Sequence, residues 1–358
     1  MKFKFLINFV TIFVWFASPA ISQEIGIATG NKNGTYYRIG EDIKRITSQV
    51  DASLNVNVIE TQGALENIEL TRRKQGVHLA LVHADTLYFI IEQAKTNKEM
   101  QDYVKKMRIV FPLYFNEVHI LALKDINNFD DLQNKKVAIG PKGSGTYLTS
   151  TMLFQLSGIK PYKDFNYDAQ EALEKLRSGE IDAMIYVVGQ PTPIFENLDE
   201  KMHFVPVKND KILQYYKSSN IKKSSYKWID EDVPTVSIKS VLMTYDYRQE
   251  HCQNIKKIAR IIRDNIQCLK QFGHKKWQDV NFNDPLPRGW EPYGCARDGL
   301  LQEADSRTTA CPAGSKKPAE IRDSCYKKCD ILLNPIEKSL CSMRCDTISS
   351  EETRDVVE

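Results

Sequence analysis

The first 251 residues of this 358-residue chain contain no cysteine, although the remainder contains eight. The chain also lacks a strong charge of either sign, because 49 basic and 46 acidic residues leave a net charge of +3. So mild a charge argues against nucleic acid as a partner. None of the six histidines falls in a metal-binding or catalytic motif. The sequence therefore predicts no metal, no cofactor and no catalytic residue.

Long apolar runs are absent except at the N-terminus. There, Lys2 and Lys4 precede "FLINFVTIFVWFA", a mostly apolar run of 13 residues. A membrane span needs roughly 20 apolar residues, so this run is short for an N-terminal anchor, which is the alternative. Ala20 and Ser22 occupy the small-x-small positions of a cleavage site. The sequence predicts a signal peptide at 1–22 and a mature protein in the periplasm or another extracytoplasmic compartment.

An even number of cysteines on an exported chain favours disulfides. The last four form two CxxxC pairs on either side of "DILLNPIEKSL". A spacing of four residues places both sulfurs of a pair on one helical face. Antiparallel packing of two short helices, at 321–346, would join Cys325 to Cys345 and Cys329 to Cys341. A zinc site is the alternative, but structural zinc favours a tighter C-x2-C spacing.

The pairing of the other four cysteines stays open. Cys252 and Cys268 lie 16 residues apart on one predicted helix, which is about 24 Å at the helical rise. They cannot bridge each other if that helix is continuous, so each is expected to pair with Cys295 or Cys311. Cys295 and Cys311 lie in a predicted Cys-rich C-terminal extension at 280–358. Its last dozen residues are polar and acid-rich, and we predict a mobile tail.

Strand-like and helix-like segments alternate from residue 24 onward. "EIGIAT", "LNVNVIET" and "HLALVHA" are predicted strands, each followed by a helix. This order indicates a parallel sheet with helices on both faces. "MRIVFPLYFNEVHILALK" is interpreted as two strands that cross into a second lobe, and 233–245 as the returning strand. We predict an α/β fold with lobe 1 at 23–113 and 240–279 and lobe 2 at 114–239.

Each lobe has a glycine-rich loop between a strand and a helix. The loops at 28–37, "ATGNKNGTYY", and 138–148, "AIGPKGSGTYL", match in pattern. Neither is a Walker A or GxGxxG motif, and Ser144 does not lie in a GxSxG elbow. Free backbone N–H groups and the dipole at a helix N-terminus attract small anions. The two loops predict an anion held across a cleft, although either loop alone is also typical of an ordinary helix start.

In this order the segments resemble the TAXI-type solute receptors of TRAP transporters, which have the two-lobed type II periplasmic binding protein fold. The resemblance covers about residues 24 to 272. It rests on "IATGNKNGTYYRIG", "ETQGALENIELTRRKQGVHLALVHAD", "VAIGPKGSGT", "VVGQPTP" and "YKWIDEDVPTVSIKSVLMTY". It implies a monomeric receptor that captures a small organic anion, of amino-acid, dicarboxylate or keto-acid type, for TRAP-type membrane subunits. An enzyme, a secreted sensor and a surface protein whose extension docks a partner are the alternatives.

Carried over position by position, the resemblance implies fifteen ligand-binding residues. They are Thr29, Gly34, Thr35 and Tyr36 in the first loop, Thr61, Gln62, Gly63 and Asn67 at the second helix start, His83 and Asp85 at the third strand end, Ser144, Gly145 and Thr146 in the second loop, and Gly189 and Gln190 beside it. The chain departs from the family pattern with Arg38 for proline, Ala64 for serine and His83 for glutamine. Lys32, Arg38 or His83 would favour a more acidic solute by adding positive charge, or would only be solvated.

Overall fold

The computed structural model describes residues 24–73, 76–123, 125–198, 201–247, 249–296 and 311. The predicted signal peptide, the helical hairpin at 321–346, its two disulfides and the predicted mobile tail lie outside these residues. None of the helices in the described ranges has an apolar stretch of the length that crossing a bilayer requires.

The described residues form ten strands and nine α-helices. The strands are β1 Glu24–Ala28, β2 Asn55–Ile59, β3 Val77–His83, β4 Met107–Leu123, β5 Lys136–Ala138, β6 Lys163–Phe165, β7 Ala183–Val188, β8 Met202–Phe204, β9 Lys217–Ile221 and β10 Val233–Tyr245. The helices are α1 Thr35–Val50, α2 Ala64–Arg73, α3 Ala84–Ala94, α4 Lys98–Val104, α5 Gly145–Ser157, α6 Ala169–Arg177, α7 Asp210–Leu213, α8 Gln249–Asp264 and α9 Ile266–Phe272.

The strands form one sheet in the order β2-β1-β3-β10-β4-β7-β5-β6, with β8 on β4 and β9 on β10. In the first lobe β1 is parallel to β2 and β3, and in the second β5 is parallel to β6 and β7. The long strands β4 and β10 lie antiparallel between these two groups and carry the chain from one lobe to the other. The chain thus has an α/β fold with two lobes joined by two strands.

Helices whose apolar residues recur at helical spacing cover both faces of the sheet in each lobe. In α1, Ile39, Ile43 and Ile46 recur at intervals of three and four residues and lie in the core beside α8. Other helices cover the opposite face, where Ile68 of α2 is buried. In the second lobe α5 and α6 contribute to separate buried clusters. Because these helices begin close to the ends of strands, the packed sheet fixes the positions of their N-termini.

The interpretation of 107–124 as two strands was wrong, because β4 is one strand of 17 residues. Its polar residues Asn116 and Glu117 are buried but do not interrupt it. Asn116 Nδ2 donates to Ser240 Oγ, and Lys276 Nζ donates to Glu117 Oε1 at 2.6 Å. Such partners offset the cost of burying polar groups. The boundary between lobes at 113/114 falls inside β4 and stays a prediction.

The single helix expected at 249–272 is interrupted. Asn265 leaves helical geometry, with φ −108° and ψ 19°, and separates α8 from α9. Disulfides join Cys252 to Cys295 and Cys268 to Cys311, so each helical cysteine pairs with one downstream cysteine. The segment after α9 also packs on β4, where the Tyr293 N–H donates to the Ile109 carbonyl at 2.8 Å. The first part of the extension is therefore fastened to lobe 1.

Candidate functional site

The two glycine-rich loops face one cleft between the lobes. Helix α1 begins after Gly34, helix α5 begins after Ser144, and both of these residues line the cleft. The empty volume, including the part open to solvent, is about 990 Å³. Two helix N-termini, one from each lobe, therefore meet at one cleft.

Nine of the fifteen predicted residues line this cleft and six do not. The nine are Gly34, Thr35, Tyr36, Gln62, Gly63, His83, Ser144, Gly145 and Thr146. The six outside the lining are Thr29, Thr61, Asn67, Asp85, Gly189 and Gln190. The structure gives each of these six a supporting contact, and their contact with a ligand stays a prediction.

Three of the six hold the first loop in place. The Asn67 amide donates to the Thr29 carbonyl at 2.5 Å and to the Leu81 carbonyl at 2.7 Å. Thr61 Oγ1 donates to Asn67 Oδ1 at 2.6 Å. All three predicted residues are buried. They fix the loop against β3 and so position the start of α1.

The start of α1 has no side-chain cap. Gly34, the N-cap residue, has no side chain to accept from the helix, and the first turn contains no acidic residue. In α5, by contrast, Ser144 Oγ accepts from the Tyr147 N–H at 3.0 Å. The orphan N–H groups and dipole of α1 favour an anion placed at its N-terminus. Ser144 acts in this structure as a helix cap.

The lobes touch around the cleft. Thr35 Oγ1 donates to the Gly189 carbonyl at 2.9 Å, and the Glu66 N–H donates to the Gly143 carbonyl at 3.1 Å. Gly145 also packs on His83 so closely that a Cβ at Gly145 would lie 2.4 Å from His83 Nδ1. These contacts join residues of different lobes, so the two lobes touch each other around the cleft in this structure.

Gln190 and Asp85 make their contacts outside the lining: those of Gln190 lie within lobe 2, and that of Asp85 joins the two lobes. The Gln190 N–H donates to Glu117 Oε2 at 3.0 Å, and its side chain bonds backbone groups of Asn220 and Lys222. Thr149 of α5 donates to Asp85 Oδ2 at 2.6 Å. Burial raises the pKa of Asp85 from 3.8 to about 6.

Neighbouring strands β3, β10 and β4 supply a polar floor. Ser240 lies opposite His83 in the β10–β3 register, and its Oγ accepts from Asn116 Nδ2. Tyr36 connects the same groups, because its hydroxyl lies 3.1 Å from Ser240 Oγ and its ring centre lies 5.4 Å from that of His83. Sequence analysis did not predict Asn116 as a site residue. The available signal was a polar residue in the middle of an apolar strand.

His83 is an uncharged imidazole at neutral pH. Its side chain is buried, and desolvation lowers its pKa to about 3. Its Nδ1 atom is buried and has no hydrogen-bond partner in the described structure. The expectation that this residue adds positive charge is not supported, because the folded protein holds the ring neutral.

The cleft lining has one charged side chain among the described residues, Asp168. It is exposed and caps α6 by accepting from the Glu171 N–H at 2.9 Å. Lys32 and Arg38 are outside the lining, and Lys32 lies 3.7 Å from Glu60 on the surface. No basic side chain lines the cleft among the described residues, so an anion there would depend on the helix N-termini and on uncharged polar groups.

Lobe 2 contributes an aromatic and apolar wall that sequence reasoning missed. Tyr167, Ile185, Tyr186 and Ile194 all line the cleft. Desolvation raises the pKa of Tyr186 to about 12, so its hydroxyl keeps its proton. The sequence "IDAMIYVVG" is typical of a buried strand and carries no signal that four of its residues line a cleft.

Two lobes joined by two strands, with helix N-termini around the cleft between them, are the architecture of the type II periplasmic binding protein fold. The family model described as the NMT1-like family matches residues 27–288, and the chain belongs to this family.

Solved structures of binding proteins are similar at low identity. A periplasmic transporter is 12% identical, with 77% of this chain and 92% of that chain covered and a TM-score of 0.49. The periplasmic binding protein BugD is 14% identical, with 71% and 84% covered and a TM-score of 0.46. The GluR0 ligand-binding core from Nostoc punctiforme, in complex with (L)-glutamate, is 15% identical, with 72% and 100% covered and a TM-score of 0.41. Nothing about the ligand of this chain follows from these values.

Proposed function

We propose that the protein is an extracytoplasmic receptor that captures a small organic anion, of amino-acid, dicarboxylate or keto-acid type, between its lobes. It is a TAXI-type receptor that works as a monomer and delivers its solute to TRAP-type membrane subunits. It binds the solute without chemical change. The resemblance of the two glycine-rich loops to that family supports the transport partner, and the cleft supports the class of ligand.

One observation carries this proposal. The uncapped N-terminus of α1 and the N-terminus of α5 belong to different lobes and open onto the same cleft. An anion bound there would bridge the lobes through backbone N–H groups. Because its hydrogen bonds would form only when the lobes close, such an anion would stabilise the closed arrangement.

The first test identifies the solute. Native mass spectrometry of the purified mature protein should show a bound small acid, and a thermal-shift panel of amino acids, keto acids and dicarboxylates should raise the melting temperature with that acid. A protein that carries no solute and gives a flat panel would contradict the proposal.

A pair of glycine variants tests whether binding needs closure. Gly145→Ala should abolish the ligand-induced shift, because its Cβ would lie 2.4 Å from His83 Nδ1 and 3.3 Å from the Ala64 side chain. Gly294→Ala is the control, since no atom lies within 4 Å of a Cβ placed there. If both variants bind the solute as well as the wild type, the cleft is not the site.

A further inference from the structure

The polar floor of the cleft contains one buried atom that the protein leaves without a partner. His83 is only 3% exposed, and its buried Nδ1 atom has no hydrogen-bond partner in the described structure. A buried polar atom of this kind is costly unless a ligand or water satisfies it. His83 lines the cleft, so a bound solute is in a position to supply the partner.

Asn116 adds an uncharged side chain to the same floor. Its side-chain nitrogen donates to Ser240 Oγ, and the residue lines the cleft. Ser240 is directly opposite His83 on the neighbouring strand. Residues opposite each other in a sheet project from the same face. His83, Ser240 and Asn116 therefore form one continuous surface.

This surface carries no charge. His83 is neutral, and Asn116 and Ser240 have no charge to lose. Lys276, a buried lysine outside the lining, is already paired through Nζ with Glu117 Oε1 at 2.6 Å and with Asp279 Oδ2 at 3.1 Å. A carboxylate pressed against this floor would lose its hydration and gain no cationic partner, which is strongly unfavourable.

We propose that this floor is a subsite for an uncharged hydrogen-bonding group, so that the solute has one carboxylate and a neutral amide or hydroxyl end. The inference rests on the proposed function, because the helix N-termini are taken to hold the single carboxylate. An α-amino group on the same solute is compatible, since Asp168 supplies a carboxylate at the rim of the cleft. A dicarboxylate is the class that the floor excludes.

Matched ligands that differ in one group test this directly. Isothermal titration of the full mature protein at pH 7.5 should compare glutarate with glutaramate, succinate with succinamate, and L-glutamate with L-glutamine. The amide member of at least one pair should bind at least tenfold more tightly than its dicarboxylate. Equal or tighter binding of the dicarboxylates would overturn the inference and leave the proposed function intact.

A wider panel separates the remaining outcomes. A best ligand with a carboxylate but no neutral polar group would also overturn the inference alone. If no carboxylate-bearing compound binds, both the inference and the proposed function fall.

Two asparagine variants assign the subsite to the floor. Asn116→Asp should weaken binding of the preferred amide about tenfold or more, because it replaces the uncharged amide by a carboxylate. Asn283→Asp introduces the same charge at an exposed position outside the lining and should change the Kd less than threefold. The melting temperature without ligand shows whether each variant is folded. If the Asn116→Asp variant folds and binds the amide as tightly as the wild type does, the floor is not the subsite. If this variant does not fold, the comparison of ligand pairs on the wild-type protein still decides the inference.

Discussion

Thr35 and Gly189 lie 154 positions apart in the chain, yet the Thr35 hydroxyl donates to the Gly189 carbonyl at 2.9 Å. Thr35 is the first residue of α1 in one lobe, and Gly189 follows β7 in the other. Lys276 packs over the same glycine, where a Cβ would lie 2.8 Å from its Cγ. This hydrogen bond therefore exists only when the lobes are together, and it forms beside the proposed anion site.

Thr35→Val tests the contribution of this bond to closure. Valine keeps the shape but removes the donor, so we expect the Kd for the solute to rise roughly fivefold, in keeping with about 1 kcal/mol for one hydrogen bond. The control is Thr151→Val, because Thr151 is exposed and bonds only within its own helix. Titration calorimetry provides both values. Equal affinities for the two variants would show that the bond has no role in closure.

Asp85→Asn should change the pH dependence of stability. The folded-state pKa of about 6 lies above the ordinary 3.8, so the folded protein favours the protonated acid. The stability associated with this proton is present below pH 3.8 and is lost as pH rises through 6. Asparagine does not titrate, so the free energy of unfolding of the variant, relative to wild type, should rise by about 2–3 kcal/mol between pH 4 and pH 7.

Urea unfolding of both proteins at pH 4, 5, 6 and 7 measures this difference. A difference between variant and wild type that stays constant over the four pH values would contradict the raised pKa of Asp85.

Lys276→Met should destabilise the protein strongly. The side chains of Lys276 and Glu117 are 4% and 5% exposed, and removing the ammonium leaves a buried carboxylate without its partner. We expect a loss of about 3–5 kcal/mol in the free energy of unfolding. The double variant with Glu117→Gln should recover most of this loss, because no buried charge then remains unpaired.

Lys175→Met is the matched control for the ion pair. Lys175 and Glu180 form a pair at 2.9 Å whose side chains are 33% and 56% exposed. Exposed pairs contribute about 0–1 kcal/mol, so this variant should unfold close to wild type in urea. Similar losses for Lys175→Met and Lys276→Met would show that burial of the pair does not matter.

Peptide mapping of the unreduced mature protein should recover four disulfides. Two are the bonds Cys252–Cys295 and Cys268–Cys311 of the described structure. The other two, Cys325–Cys345 and Cys329–Cys341, are predicted from the CxxxC spacing. Mass spectrometry after thiol blocking should find no alkylated cysteine. Blocked thiols in the last four cysteines, or peptides joined as Cys325–Cys329, would contradict the helical hairpin.

The sequence predicted the fold well because the signals for it are local. Alternating strand and helix patterns identified the two lobes, and the returning strand at 233–245 matches β10. The continuity of β4 was not predictable from neighbouring residues. Asn116 and Glu117 stay in the strand because of Ser240 and Lys276, which are 124 and 159 positions away. Tertiary partners override local polarity in such cases.

The candidate site was predictable only in part, for a related reason. A loop motif contains residues that face the cleft, such as Tyr36, together with residues that hold the loop, such as Asn67. Sequence resemblance does not separate these two roles. Asn116 and Tyr186 were missed because they lie within strands, where only the register and the lobe arrangement decide which side chains reach the cleft.

The position of β10 between β3 and β4 also constrains how the chain is made. Strand β10 begins at residue 233, more than a hundred residues after β4, yet it separates β4 from β3 in the sheet. The first lobe therefore cannot complete its sheet until most of the polypeptide has been synthesised. Pairings so distant in sequence form slowly. Strands β3 and β4 therefore lack their common neighbour until late in synthesis, so the two lobes complete their sheet together rather than one after the other.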